Sequence, residues 1–169
     1  ICSMSNNQQN HRIVSDGNGG AIIVWEDYRN DNTQTTADIY AQRIDKNGNI
    51  RWAVNGMPIC TNLNHQSNPN VDFNNGNIVI IWNDYRNGNV DIYAQMIDTS
   101  GNIKWTTDGV PVISKAFSQK DGKVIVDSYN NVYVVFQDSS AGQWDIYAQK
   151  LNVNGIQQWG VNGAVVCNA

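Results

Sequence analysis

The chain has 169 residues, 41% of them hydrophobic and 9% aromatic, enough for one domain with a buried core. Only 15% are charged, with a net charge of −4, and the few Lys and Arg are dispersed. That excludes a nucleic-acid footprint, and no apolar run reaches the length of a membrane span. Low lysine with abundant asparagine points to an exported or cell-surface bacterial protein.

The first elements are the short strand "HRIVSD" (His11 to Asp16), the turn "GNGG", and the β-branched and aromatic run "AIIVWEDY" (Ala21 to Tyr28). A run of that kind reads as a strand buried on both faces. A polar loop leads to "DIYAQRID" from Asp38, and the turn "KNGN" leads to a fourth strand through Trp52 that ends at Gly56. The same sequence of elements then recurs. "WEDYRN" at Trp25 returns as "WNDYRN" at Trp82, and "DIYAQ" occurs around Tyr40, Tyr93 and Tyr147, at spacings of 53 and 54 residues. Trp25, Trp82 and Phe136 correspond, as do Trp52, Trp105 and Trp159, and Gly56, Gly109 and Gly163. The chain is therefore three copies of one unit, divided as residues 1–58, 59–111 and 112–169 of a single repeat domain. The first copy carries four extra residues between Arg29 and Asp38, an insertion that a surface turn tolerates.

Four strands per unit, joined by Asn- and Gly-rich turns, predict an all-β chain of twelve strands in three antiparallel meanders without helix. Such units are the blades of a β-propeller. The alternative is a β-trefoil, which three repeats would complete. The long connection "PICTNLNHQSNPN" favours the propeller, because it can run from an outer strand back to the next inner one. Three blades are too few for a ring of four to eight, so the expected partners are further repeats of the same protein or a second copy. The chain opens at Ile1 with the "IC" that recurs at Ile59 and Cys60, and its "VC" at Val166 fills the same phase. It reads as a piece of a longer array. Cys2, Cys60 and Cys167 are expected to be unpaired in an open arc, their spacing exceeding the reach of a disulfide.

The pattern "WxDYR…DIYAQxID…GN…W…NG…IC" resembles the tandem repeats of large secreted or surface proteins of Bacteroidetes and related bacteria. The resemblance implies a propeller-like fold, export and a surface role, and no enzymatic activity. The third unit departs from it, with "FQDSS" where the others have "WEDYR" and "WNDYR". A looser similarity, to the Asp-box of sialidase-type propellers, falls on Asp45, Gly48 and Trp52 and on Asp98, Gly101 and Trp105.

Candidate chemistry divides between blade and ligand. Asp27, Arg29 and Asp38 flank one loop, and Asp84, Arg86 and Asp91 repeat the set, with Asp138 and Asp145 in the third unit. An arginine between two carboxylates can hold a loop by charge-assisted hydrogen bonds, so these aspartates are read as structural repeat positions. The ligand-binding candidates are Tyr28, Arg29, Tyr85, Arg86 and the non-recurring Trp144. Glycosidase chemistry needs two carboxylates placed asymmetrically across one bond, whereas the carboxylates noted here repeat with the fold. The sialidase habit of gathering arginines also fails in the third unit, at Ser140. His11 and His65 read as solvated linker histidines that share one position. No cofactor is expected, though the "DKNGN" turn at Asp45 to Asn49 is a candidate for calcium. The leading expectation is a non-catalytic repeat module, a binding or structural platform whose partner is a glycan or surface protein. The alternative is a fragment of a propeller glycosidase, sialidase-like enzyme or lyase.

Overall fold

The computed structural model describes residues 1–168. Twelve strands form three four-stranded antiparallel sheets, each a meander in sequence order. Blade 1 holds β1 (Gln8–Ser15), β2 (Ala21–Asp27), β3 (Asp38–Ile44) and β4 (Met57–Cys60). Blade 2 holds β5 (Gln66–Asn74), β6 (Asn77–Asp84), β7 (Asp91–Asp98) and β8 (Val110–Ile113), and blade 3 holds β9 (Gln119–Val126), β10 (Val132–Asp138), β11 (Asp145–Leu151) and β12 (Ala164–Cys167). No helix occurs among the described residues.

The first strands of successive blades stand side by side, β1 next to β5 and β5 next to β9. This is the inner edge of a propeller arc. The second strands, β2 and β6, are almost wholly buried because they lie between neighbouring sheets. One apolar cluster joins blade 1 to blade 2 through Val24, Ile39, Ile59, Ile80 and Trp82, and a second joins blade 2 to blade 3 through Ile81, Ile92, Trp105, Val134 and Phe136.

The fourth strand differs from expectation. Residues 50–56 and 103–109 form turns pinned by single bridges, Ile44 to Ile50 and Ile97 to Ile103, and the fourth strands follow them at Met57 and Val110. Pro58 and Pro111 had disguised these strands, but an outer edge tolerates proline. The tryptophan of each turn reaches sideways instead: Trp52 Nε1–H donates to Thr99 O at 3.1 Å, and Trp105 Nε1–H to Val153 O at 2.9 Å. Gly56 and Gly109 have left-handed φ of +92° and +85° and touch the rings of Trp25 and Trp82, so a side chain there would meet both strain and a ring. Cys2, Cys60 and Cys167 are free thiols, and burial, the largest effect, pushes Cys60 up to about 12.

Candidate functional site

The motif "WxDYR" builds a cage at the C-terminal end of the second strand. Trp82 Nε1–H donates to Asp84 Oδ2 at 2.8 Å, Arg86 Nε–H donates to Asp84 Oδ1 at 2.8 Å, and the guanidinium lies 3.9 Å over the Tyr93 ring. Trp25, Asp27, Arg29 and Tyr40 repeat the arrangement. Charge-assisted bonds and a cation–π contact leave these arginines little freedom to take a ligand. The expected bridge between two carboxylates does not form. Of the two carboxylates Arg29 binds only Asp27, while Asp38 takes the Asn30 amide at 2.7 Å, and Asp91 takes Asn87 and Ser114, both at 2.8 Å. Burial pushes the Asp38 carboxyl above its ordinary range, against the Asn30 amide that lowers it.

In blade 3, Phe136 has no indole N–H to give Asp138. Lys115 takes the indole's place with an ion pair to Asp138 Oδ2 at 2.9 Å while standing 4.8 Å over Tyr147, and the Ser140 hydroxyl donates to Oδ1 where an arginine does in the other blades. Lys115 comes from the linker, outside the motif, which is why the sequence pattern did not reveal it. Asp145 is buried at the start of β11.

The "DKNGN" turn is filled by its own chain. Asp45 Oδ1 accepts the N–H groups of Asn47 and Asn49 at 2.9 and 3.0 Å, and Asp98 accepts those of Ser100 and Asn102 in the same way.

A different constellation lies at the beginnings of the inner strands. Each inner strand bulges at one residue, Asn10, Asn68 or Asp121, and all three have left-handed φ between 51° and 58°. Bulges re-aim side chains and gather beside functional sites. Glu26, the penultimate residue of β2, faces the second bulge: its Oε1 accepts Asn68 N–H at 2.7 Å, and its Oε2 accepts Asn10 Nδ2–H at 2.8 Å and the Tyr28 hydroxyl at 3.5 Å. Asn68 then donates its side-chain amide to Asp121 Oδ1 at 3.0 Å and accepts Arg12 Nη2–H at 3.5 Å. Two carboxylates thus converge on one asparagine, Glu26 buried and Asp121 exposed.

Neither carboxylate belongs to the repeat. Register with the inner strand equates Glu26 with Asn83 and Gln137, and the Asp121 bulge with Asn10 and Asn68. Glu26 and Asp121 are thus carboxylates that do not recur with the blade. In that register His11 is equivalent to Pro69, so the two histidines do not share a position as expected. His65 instead precedes β5, half-buried, where Nδ1 accepts Ala37 N–H at 3.0 Å. Burial lowers its proton affinity and the Glu26 charge partly restores it.

The aromatic ligand candidates gather here. The ring centroids of Tyr28 and Tyr85 lie 6.3 and 5.4 Å from that of His65. Trp144 is partly exposed, with Lys120 Nζ, the neighbour of Asp121, 4.2 Å over its ring. Tyr28, Tyr85 and Trp144 therefore border the bulges, while Arg29 and Arg86 are bound into the blades.

No family model matches the chain, and no curated protein does so. Solved structures match it well in fold. A thermostable family-43 glycoside hydrolase is 14% identical, with 99% of this chain and 61% of that one covered and a TM-score of 0.61. A family 117 glycoside hydrolase from the marine bacterium Zobellia galactanivorans is 11% identical, with 95% and 56% covered and a TM-score of 0.58. A glycosyl hydrolase from Bacteroides ovatus is 12% identical, with 96% and 51% covered and a TM-score of 0.58. The chain spans between about half and three fifths of these relatives.

The fold class is thus an arc of propeller blades of the kind found in glycoside hydrolases. The expectation of a non-catalytic platform, and with it the exclusion of an enzyme, is corrected by these likenesses. The alternative, part of a propeller glycosidase, accords with them better. The non-catalytic reading weighed only carboxylates at repeated positions, which the blade itself uses, and left Glu26 and Asp121, outside those positions, unweighed.

Proposed function

We propose that the chain is the three-blade part of a propeller glycosidase, with Glu26 and Asp121 as the carboxylate pair that faces the sugar. One observation carries this reading: both residues break the repeat, and both converge on Asn68 at the inner-strand bulges. A blade needs neither, since Asn83 and Gln137 fill the Glu26 position elsewhere. One carboxylate is buried among three donors and the other is open to solvent, a difference of environment that suits a division of acid and base roles. Tyr85 beside His65, and Trp144 beside Lys120, the sequence neighbour of Asp121, offer ring faces against which a sugar can stack. An exported or surface location belongs to the same proposal, supported by composition and by the resemblance of the repeats.

The test is hydrolysis of a panel of 4-nitrophenyl arabinofuranosides, xylosides, mannosides and galactosides. Release of nitrophenol from at least one is expected, falling by about 100-fold or more in Glu26→Gln and in Asp121→Asn, with unchanged circular dichroism. No release from any of them, or release undiminished in both variants, contradicts the reading.

A further inference from the structure

Among the described residues, four buried acceptors have no hydrogen-bond donor: Gln66 Oε1, Gln119 Oε1, Asp138 Oδ2 and Asn83 Oδ1. Three of them have a place in the blade. Gln66 and Gln119 open β5 and β9 at equivalent points, so theirs recurs with the repeat, and Asp138 Oδ2 has the Lys115 ammonium at 2.9 Å. Asn83 is the exception. It is 7% exposed, it stands where blade 1 has Glu26, and burying an amide oxygen without a donor costs stability.

Blade 1 shows what blade 2 lacks. Gln9 is opposite Glu26, as Ser67 is opposite Asn83. Around Glu26 the polar groups close on one another: Gln9 Nε2–H donates to the Tyr28 hydroxyl at 3.1 Å, that hydroxyl donates to Glu26, and Glu26 reaches Asn68 N–H in the next blade. The same places in blade 2 hold Ser67, Tyr85 and Asn83. Ser67 is shorter than Gln9, and Asn83 is one methylene shorter than Glu26. The bulge that follows in the next blade is that of Asp121, whose carboxylate is tied to Asn68, the neighbour of Ser67.

We propose that Asn83 is a sugar-binding residue at the seam of blades 2 and 3, its Oδ1 accepting a hydroxyl of the sugar that Asp121 faces. The hydroxyl occupies the room that the longer Gln9 and Glu26 fill in blade 1. This inference rests on the glycosidase reading and deepens it, because a fixed acceptor demands a donor. A site built to bond a hydroxyl discriminates against the analogue that lacks it, since its own polar group is then left unpaired.

Titration of the 169-residue chain with the methyl glycosides of arabinofuranose, xylose, mannose and galactose tests it, followed by each monodeoxy form of the one bound best. Asn83→Leu is close in volume and removes the orphan amide, so affinity should fall about tenfold with the thermal midpoint held or raised. One monodeoxy form should lose the same factor in the wild type and nothing further in the variant, a coupling that a purely structural role would not produce. Asn83→Ala should show the same coupling, which keeps the test standing if the leucine variant fails to fold. Affinity unchanged in both variants, additive losses for every monodeoxy form, or no binding of any of the four sugars by the wild type overturns the proposal. Hydrolysis separates it from the reading beneath it. Coupling at Asn83 in a chain that releases no nitrophenol sinks the glycosidase alone, whereas release that Glu26→Gln abolishes, without coupling at Asn83, sinks this inference alone.

Discussion

A single residue type explains much of the blade. The indole of Trp82 is buried between sheets, fills the seam and gives its N–H to Asp84, so it serves packing and polar satisfaction together. Truncation leaves a cavity and removes one donor from a buried carboxylate. Trp82→Ala is expected to cost about 3 to 5 kcal/mol, as other large core truncations do, read from the denaturant midpoint at constant slope. An unchanged midpoint would remove the residue from the core. Blade 3 shows the same requirement met by other means: without the indole N–H of a tryptophan, Asp138 is held by Ser140 and Lys115. Asp98 illustrates satisfaction at a turn. Burial raises its carboxyl, but Asn102, Lys104 and the N–H of Ser100 outweigh burial and hold it down at about 2.

Between elements, a pH-sensitive polar contact is that of His65 on the seam of blades 1 and 2. Its Nδ1 must be unprotonated to accept Ala37 N–H, and burial keeps its proton affinity below the ordinary value near 6.5. The unfolded chain therefore takes up the proton first. The stabilising contribution is fully present above about pH 6.5 and is lost as pH falls through the lowered folded value. The wild type should lose more thermal stability between neutral and mildly acid pH than His65→Gln, and equal losses would contradict this account of the seam.

The strands themselves were legible wherever a buried run repeated, as in "AIIVWED" and "NIVIIWND", because tertiary burial and β propensity agree there. The fourth strands were not. Trp52 and Trp105 made a turn look like a strand, and the prolines made a short edge strand look like a linker. Side chains that reach across to another blade carry no period within their own segment, so no local pattern announces them.

For the whole molecule, the 53- and 54-residue spacings were enough to give three blades, since each unit is one sheet and each sheet buries its faces against the next. The same comparison hid the candidate site. Aligning repeats keeps what recurs, such as Trp, Asp, Tyr and Arg, and passes over what differs; Glu26 and Asp121 are among the differences, and of the non-recurring residues only Trp144 stood out. Only the inner-strand register brings them to one end of the arc. The central claim is that this end receives a carbohydrate, and amide chemical shifts of isotopically labelled protein during titration with arabino-, xylo- and manno-oligosaccharides test it most directly. One of these sugars should shift the backbone signals of Asn68 and Asp121 together with the Trp144 indole, and leave the Trp105–Val153 turn at the far end unmoved. Titrations that move none of those three signals, or that move only the far turn, would contradict the account.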